Sequence, residues 1–586
     1  MWRKSLISPL VKSKDNDPRI PTLYRGISLI NCSAKLYSSV LNQRISKFLE
    51  RNHLIEDEQN GFRTNRSCLD HIFVFDSIIR NRLENNLSTF TTFIDFQKAF
   101  DSVQRDLLFN KLYSKGITGK MYFAIKSLYL STEACVKVNN NLTPWFNYEL
   151  GVKQGDNLSP TLFSVFINDL AQVLKEKQLG VDVDGEKHCI LMYADDVVLM
   201  AETEQELQDM LSVVQDWMLK WHISLNLKKS KCVHFRPQNV ERTEFDFKIN
   251  NKSLEITSTY KYLGLYFHEH LDFNENALIL SQSANRALGS IISKYKSNKH
   301  MGFSTYSKLY HACVLPILNY SSGVWGYKRY SKTDGVHQLA MRVFLGVHKF
   351  APISALYCDT GWLKPQYHRW ADMIRLWNRL LKIPQDRITR KIFEIDYDRS
   401  HTTSNWSSKV KDIFSLLDLE HIFNLKLNCD MKVLMDKLTK YQSNQLLLEI
   451  GQKPKMRFYR EFKDNCDSEK YISYNLTSSE RSILAQLRFG ILPIKIETGR
   501  FVNIPAEERF CDFCKTLVED EWHFIYNCEL YNEERIMFFN SLLNLKPDFV
   551  YFDEREQLKY LFKEKHRMFA KFIKSCFEKR KASLFS

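Results

Sequence analysis

The feature that most constrains the fold is a pair of adjacent aspartates between two apolar runs. Residues 190–200 read Ile-Leu-Met-Tyr-Ala-Asp-Asp-Val-Val-Leu-Met, so Asp195 and Asp196 interrupt an otherwise apolar stretch. The pattern predicts a β-hairpin with carboxylates at its tip. A buried strand end is a costly place for acids unless a metal ion or basic groups compensate their charge. Turn chemistry alone is the competing interpretation of this pair.

A third aspartate ends another apolar segment. Residues 90–95 read Phe-Thr-Thr-Phe-Ile-Asp, which predicts a buried strand that terminates at Asp95. Nucleotide polymerisation uses two divalent metal ions about 3.5–4 Å apart, and Mg²⁺ prefers oxygen ligands such as carboxylates. Two or three aspartates on rigid strands are the donor set that this chemistry requires.

The remaining patterns outline a helix-rich chain. Apolar spacing of three and four predicts helices over 34–49, 158–174 and 204–221, and residues 260–267 predict a strand. In the first helix, the face expected to be buried carries Leu36, Val40, Ile45, Phe48 and Leu49. Residues 275–395 are mostly helical and basic, and the polar stretch 401–408 predicts a linker.

Several short motifs occur in a fixed order around the aspartates. They are Tyr24–Leu29, Gln59–Arg63, Phe93–Asp101, Gly151–Pro160, Tyr193–Asp196, Leu225–Ser230, Tyr262–Gly264 and Val314–Tyr320 with Trp325. This order resembles the successive motifs of reverse transcriptases, and most closely those of non-LTR (LINE-like) retrotransposons. The likeness covers roughly residues 3–330, and Gly26 stands where the family commonly has proline.

The resemblance implies an RNA-directed DNA polymerase that adds dNTPs to a primer 3′-OH by two-metal nucleotidyl transfer. It assigns the catalytic metal ions, two Mg²⁺ with Mn²⁺ as an alternative, to Asp95, Asp195 and Asp196. It assigns nucleotide binding to Arg25, with Lys12 or Lys14, to Phe100 as the gate against a ribose 2′-OH, and to Gln154, Gly155 and Lys229. It assigns the primer grip to Tyr262, Leu263 and Gly264.

The implied fold class is α+β, a right-hand polymerase followed by a mostly helical C-terminal region. The expected division is fingers 1–88, palm 89–103, a fingers/palm connection 104–150, palm 151–270, helical thumb 271–400, a helical region 401–500 after the polar linker, a zinc module 501–535 and a basic amphipathic helix 536–586.

A late Cys/His cluster predicts a structural zinc site. Cys511, Cys514, His523 and Cys528 form the pattern C-x₂-C-x₈-H-x₄-C, which supplies four ligands for tetrahedral zinc. Chance clustering of thiols is the competing interpretation. With its surroundings, the cluster resembles the zinc-binding region behind many LINE-type reverse transcriptases. We expect this module to contact RNA or DNA near Arg488, Arg500 and Arg509.

Charge and cysteine content indicate which partners and which cellular compartment to expect. The 586 residues carry 83 Lys+Arg against 68 Asp+Glu, a net charge of +15 that suits a nucleic-acid partner. Expected partners are an RNA template, a DNA primer or target DNA, and dNTPs, with no membrane; the oligomeric state is not predicted. No apolar run spans a bilayer and no signal peptide is evident. Thirteen cysteines, an odd count, favour reduced thiols in a protein of the nucleus or cytoplasm rather than a secreted one.

Two other hypotheses remain at this point. The chain is alternatively an inactive or domesticated nucleic-acid-binding remnant, or a polymerase of another lineage: an RNA-templated RNA polymerase, an intron maturase or a telomerase. Phe100 favours dNTPs, and the Cys/His pattern favours the retrotransposon lineage. Because the chain begins just before the first motif, with no endonuclease-like region, we expect a truncated copy or a partial gene model.

Overall fold

The computed structural model describes residues 2–12, 17, 19–139, 141–298 and 301–585. The chain forms two compact units. Unit 1 comprises Met1–Glu275 and Arg379–Asp412, and unit 2 comprises Asn276–Asn378 and Ile413–Ser586.

All strands of the described chain precede residue 270. They are β1 (Lys4–Val11), β2 (Tyr24–Ile30), β3 (Thr89–Asp95), β4 (Glu133–Val138), β5 (Asn141–Leu142), β6 (Phe146–Asn147), β7 (Val181–Val183), β8 (Glu186–His188), β9 (Ile190–Tyr193), β10 (Asp196–Ala201), β11 (Lys231–Phe235), β12 (Lys248–Ile249), β13 (Lys252–Ser253), β14 (Glu255–Ile256), β15 (Thr259–Tyr262) and β16 (Leu265–His268).

Helices occur throughout and make up nearly all the regular structure after residue 270. They are α1 (Cys32–Arg51), α2 (Cys68–Glu84), α3 (Arg105–Ser114), α4 (Gly119–Tyr129), α5 (Ser159–Glu176), α6 (Glu204–Trp221), α7 (Asn274–Ser297), α8 (Phe303–Cys313), α9 (Leu315–Leu318), α10 (Ser322–Trp325), α11 (Ser331–Leu345), α12 (Ile353–Thr360), α13 (Pro365–Leu380), α14 (Ile388–Asp398), α15 (Trp406–Leu416), α16 (Glu420–Asn424), α17 (Met431–Gln452), α18 (Lys470–Ser473), α19 (Ser478–Arg488), α20 (Lys495–Thr498), α21 (Asn532–Leu545), α22 (Glu554–Glu564) and α23 (His566–Phe585).

A five-stranded sheet in the order β14-β11-β3-β10-β9 organises unit 1. Its central strand β3 pairs antiparallel with both β10 and β11. Side chains of successive strand residues point to opposite faces, so alternate β3 residues enter different cores. Ile94 packs in the core that contains α5 and α6, whereas Phe93 contacts Phe75 of α2, with ring centroids 5.7 Å apart. Burial on both faces fixes the register of the sheet.

A second sheet has the order β2-β1-β4-β5, with β6 also paired to β4. β1 pairs antiparallel with β2, so that Leu10 lies opposite Arg25, and β1 pairs parallel with β4. This sheet places Arg25 on a regular strand. The two sheets together confirm the α+β class of unit 1.

The helix predictions are confirmed in extent, and one buried face is corrected. α5 and α6 cover the predicted ranges, and α6 buries its three-and-four-spaced apolar residues. In α1, however, Leu36, Val40 and Phe48 are 70%, 41% and 38% exposed. The buried stripe is Ala34, Ser38, Leu41, Ile45 and Leu49. On this stripe the Ser38 hydroxyl donates to the Asp156 carboxylate, so the inward face carries a satisfied polar group as well as apolar residues.

The predicted strand 260–267 is a two-stranded hairpin of β15 and β16. Leu263 and Gly264, at its turn, have φ angles of +46° and +88°. Positive φ at both central residues is the geometry of the two-residue turns that join twisted antiparallel strands, and glycine adopts it without a Cβ clash.

The polar stretch 401–408 is not an exposed linker. Asn405, Trp406, Ser407 and Ser408 are buried, and the Trp406 ring lies 5.1 Å from that of Phe73. His401, Thr402 and Ser404 are exposed, whereas the Ser407 N–H donates to the Asp396 carboxylate at 2.8 Å. Residues 379–412 belong to unit 1, so the expected boundary at residue 400 falls inside a compact unit.

Unit 2 is helical, with one continuous apolar core. It contains a disulfide between Cys358 and Cys466, which corrects the expectation of reduced thiols for this pair. Their sequence separation of 108 residues leaves no local signal for the pairing. Among the helices of the described ranges, none has the length and apolar character needed to cross a bilayer.

Candidate active site

The three predicted aspartates meet at one end of the β3–β10 pair. Asp95 and Asp196 are direct partners across the two antiparallel strands. Asp195 lies in the turn that precedes β10, next to Ala194, which has a φ angle of +57°. The two apolar runs around the paired acids predicted the hairpin, and the strand pairing places Asp95 beside it.

Crowding of negative charge is visible in the pKa values of these carboxyl groups. Loss of hydration raises the pKa of Asp196 to about 6, and repulsion from Asp195 and Asp95 adds to the shift. Desolvation and the charge of Asp95 likewise raise the pKa of Asp195. Arg25 and Lys229 oppose both shifts. A cluster of hard oxygen donors that repel one another fits Mg²⁺ or Mn²⁺, whose charge removes the repulsion.

A loop after α6 orients the Asp95 carboxylate. The Asn226 side-chain amide donates to Asp95 Oδ2 at 2.8 Å, and Lys229 Nζ lies 3.7 Å from the same oxygen. The backbone is fixed as well, because the Asp95 N–H donates to Ser230 Oγ at 3.0 Å. Asn226 and Ser230 were not predicted as site residues; their place in the same motif as Lys229 was the available signal.

Gln59 clamps the turn that carries Asp195. Its side chain is fully buried; Oε1 accepts from Ala194 N at 2.9 Å and from Gly61 N at 2.7 Å, and Nε2 donates to Ala194 O at 3.3 Å. Gly61 has no room for a side chain, because a Cβ there would lie 2.2 Å from Ala194 N. Sequence reasoning gave Gln59 no role, since its partner is 135 residues away.

Phe100 is a half-buried aromatic residue, five positions after Asp95 in the sequence. Its ring stacks on Phe163 with centroids 4.6 Å apart and an interplanar angle of 14°, and it meets the Phe62 ring edge-on at 6.3 Å. Two aromatic contacts fix the plane of the ring. One part of the side chain therefore packs, and the rest remains accessible.

Gln154 and Gly155 lie against the strand that carries Arg25. The Gln154 carbonyl accepts from Ser28 N at 2.7 Å. Gly155 has a φ angle of +108°, and a Cβ at this position would lie 2.9 Å from Ser28 O. The close approach requires glycine, and it joins the 151–157 loop to β2.

The basic residues assigned to nucleotide binding differ in their exposure and in the carboxyl groups that they influence. Arg25 is exposed and acts electrostatically on Asp195 and Asp196. Lys12 lies close enough to Asp101 to lower the pKa of that carboxyl group, although burial raises it overall. Lys14 lies outside the described residues.

The expected primer-grip residues divide between core and turn. Tyr262 is buried, with its ring 5.7 Å from Phe75 and 5.5 Å from Phe93. Burial and the nearby Asp196 raise the pKa of Tyr262 well above its ordinary value. Tyr262 is therefore a core residue, while Leu263 and Gly264 form the hairpin turn.

Three of the four predicted zinc ligands, Cys511, His523 and Cys528, lie together in unit 2, and Cys514 lies next to His523. Cys511 Sγ and Cys528 Sγ lie 3.8 Å apart, and Cys514 Sγ lies 3.4 Å from His523 Nε2. The ligand atoms of Cys511, His523 and Cys528 all lie within 4.8 Å of one another. With Zn–S bonds of about 2.3 Å and Zn–N bonds of about 2.05 Å, the edges of a tetrahedral site measure about 3.8 and 3.5 Å. The spacing of Cys511, His523 and Cys528 fits a metal ion, and Cys514 lies beside this group at His523.

One predicted nucleic-acid contact is corrected. Arg488 is 1% exposed, and its guanidinium forms two 2.8 Å bonds to Asp359, whose oxygens also accept from Tyr459 and Tyr471. A buried cation with these partners cannot meet a phosphate. Arg500, by contrast, is exposed.

Comparison with protein families identifies the segment that holds the acids. Residues 11–267 match the family described as reverse transcriptase (RNA-dependent DNA polymerase). The matched segment contains every candidate residue from Arg25 to Gly264.

Curated relatives extend the likeness into unit 2. A probable RNA-directed DNA polymerase from transposon BS of Drosophila melanogaster is 25% identical over 67% of this chain and 45% of its own length. An RNA-directed DNA polymerase from mobile element jockey of Drosophila funebris is 27% identical over 52% of this chain and 33% of its own. The type-1 retrotransposable element R2 polyprotein of Popillia japonica is 28% identical over 43% and 36%. The chain thus spans less than half the length of these relatives.

Among solved structures, an apo telomerase from Candida tropicalis is similar over 74% of this chain and 69% of its own, with 10% identity and a TM-score of 0.36. That TM-score is too low to establish a shared fold. The family match rests on the sequence of unit 1 and agrees with its strand-paired aspartates. Residues 11–267 are therefore similar to the reverse transcriptase family, and the chain is similar to polymerases of non-LTR retrotransposons.

Proposed function

We propose that this protein is an RNA-directed DNA polymerase of a non-LTR retroelement. It adds dNTPs to the 3′-OH of a primer, with RNA as the template, by nucleotidyl transfer. The observation that carries the proposal is the convergence of Asp95, Asp195 and Asp196 at the end of the β3–β10 pair, inside the reverse transcriptase match.

The three aspartates would hold two Mg²⁺, or Mn²⁺ in their place. Bound there, such ions supply Lewis-acid stabilisation of the attacking and leaving oxygens. The chain contributes the orientation of the ligands. Asn226 and Lys229 fix the Asp95 carboxylate, and Gln59 fixes the turn before Asp196, so little reorganisation is needed at the moment of reaction.

The neighbouring residues suit an incoming nucleotide. Arg25 extends from β2 as an exposed fork for the triphosphate, and Gly155 lets the 151–157 loop approach the same strand. Phe100, fixed by its stack on Phe163, presents a flat edge where a ribose 2′-OH would clash. Lys229, exposed beside Asp95, is placed to donate a proton to the departing pyrophosphate.

Asp195→Ala tests the activity itself. Because one of three metal-binding carboxylates is lost, primer extension on an RNA template with dNTPs and Mg²⁺ should fall about a thousandfold, equivalent to about 4 kcal/mol. The matched control is Asp209→Ala, which removes an exposed acid of α6 and should extend at the wild-type rate. An active Asp195→Ala protein would refute the site.

Gln59→Ala tests the clamp on the catalytic turn. Without the side-chain amide, the Ala194 N–H and C=O lose their partners, and kcat should fall by about 10–100-fold with little change in KM for dNTP. Gln205→Ala, on the exposed side of α6, is the control. A change confined to KM would show that Gln59 does not position the acids.

Phe100→Ala tests the sugar gate. The smaller side chain removes the clash with a 2′-OH, so the preference for dNTPs over rNTPs, measured as a ratio of kcat/KM values, should fall by about tenfold or more. Phe123→Ala removes a phenyl ring that is 67% exposed on α4 and should leave the ratio unchanged. Equal discrimination in wild type and Phe100→Ala would assign the ring to packing alone.

The Cys/His cluster is proposed as a closed structural zinc site. Four protein ligands leave no open position for a substrate, and the ligands join the 511–514 turn to the segment after His523. The site stabilises this part of unit 2 because metal binding and local folding are coupled.

Metal analysis of Cys511→Ser tests this assignment. The wild-type chain should contain about one zinc, and the variant far less, together with a lower Tm and faster proteolysis after residue 500. Cys313→Ser changes an exposed thiol of unit 2 and should retain both metal and Tm. Zinc-free wild-type protein, or unchanged zinc in Cys511→Ser, would contradict the site.

A further inference from the structure

Unit 2 contains a cavity of about 690 Å³ with a strongly basic wall. Three segments line it: residues 342–353, 453–457 and 496–509. Seven of the lining residues are Lys or Arg, and the others are chiefly apolar or small, among them Pro352, Ile353 and Met456. Its volume falls within the range of about 300–1,000 Å³ typical of ligand sites.

Carboxylates neutralise only part of this charge. Lys455 and Arg500 share Glu497, at 2.6 and 3.2 Å, and Arg457 pairs with Glu521 at 2.7 Å. A fourth cation, Lys453, pairs with Glu449 at 2.9 Å.

The other three cations of the wall form no ion pair with a carboxylate among the described residues. Lys349 is exposed, and Arg342 has a buried Nε with no hydrogen-bond partner there. The Arg509 guanidinium donates hydrogen bonds to the backbone carbonyls of Ile496 and Ile504. Seven cations against three partner carboxylates leave the cavity positive, which favours an anionic ligand.

Two exposed phenyl rings stand next to this wall. Phe350 and Phe501 are 58% and 65% exposed, and their centroids are 6.3 Å apart. Each follows a cation of the cavity in sequence, and Lys455 Nζ donates to the Phe350 carbonyl at 3.5 Å. Exposure of two adjacent aromatic rings is costly in water, so a ligand with flat apolar faces would cover them favourably.

We propose that this surface of unit 2, the cavity with Phe350 and Phe501, binds single-stranded nucleic acid. Cations that track the backbone, combined with aromatic rings on which bases stack, are the two elements of single-strand recognition. A duplex offers the phosphates but keeps its base faces stacked internally, and inorganic phosphate or a free nucleotide would leave much of the surface unused. The inference rests on the proposed function, to which it adds a contact between unit 2 and single-stranded nucleic acid.

The test locates the strand on the full-length protein. A single-stranded 12-mer that contains 4-thiouridine is photocrosslinked, and the modified peptide is identified by mass spectrometry. We expect adducts within 342–353, 453–457 or 496–509. An excess of unlabelled single strand should suppress their formation, and an excess of duplex should suppress it much less. RNA and DNA versions of the 12-mer determine which strand the surface prefers. Adducts confined to unit 1 would overturn the proposal.

Variants separate charge from stacking. Lys349→Ala with Arg500→Ala should weaken binding of the 12-mer about tenfold and reduce the salt slope by about 1.4, since each phosphate contact contributes about 0.7 for single strands. Phe350→Ala with Phe501→Ala should weaken it about tenfold with the slope unchanged. The matched control, Lys571→Ala with Lys574→Ala, removes the same charge from exposed positions of α23 and should have less than a twofold effect.

Equal weakening in the control would show that attraction is diffuse, and unchanged binding in the phenylalanine pair would exclude stacking; either result overturns the site. Extension of a saturating, pre-annealed short primer–template distinguishes the two proposals. If the protein polymerises but forms no adducts in unit 2, only this inference fails. If adducts form in a protein that does not polymerise, only the proposed function fails.

Discussion

The structure of unit 1 has to withstand one unfavourable interaction, the mutual repulsion of three carboxylates at the end of the β3–β10 pair. Strand register places Asp95 opposite Asp196, and the turn adds Asp195, so the acids cannot separate without loss of the central sheet. Repulsion and lost hydration raise the pKa of Asp196 to about 6. The apolar cores on both faces of β3 supply the stability that holds these charges together.

The shell around the acids explains how a short turn becomes a rigid site. Gln59 satisfies both backbone groups of Ala194, Gly61 allows the close approach, and Asn226 orients Asp95. Each partner comes from a distant part of the chain. The turn at Ala194 has a positive φ angle, and its orientation is fixed by hydrogen bonds that are withdrawn from solvent.

Unit 2 uses its arginines in two ways. Arg488 is buried against Asp359 and two tyrosines, where it joins α12 to α19 and has no access to a ligand. Arg500 and Lys349 stand at an exposed basic surface beside two phenyl rings. The same residue type therefore stabilises the fold in one place and provides a candidate contact for nucleic acid in the other, and burial decides which.

Local patterns by themselves determined the hairpin with Asp195 and Asp196, the strand that ends at Asp95, helices α5 and α6, and the spacing of the Cys/His residues proposed to bind zinc. These features follow from short apolar runs, helical period and ligand chemistry, all of which act over a few residues. Only the tertiary structure decided the buried face of α1, the burial of residues 405–408, the Cys358–Cys466 bridge, the roles of Gln59 and Asn226, and the fate of Arg488. Each depends on a partner that is distant in sequence or on the close packing of several elements, and such contacts leave no periodic trace in the chain.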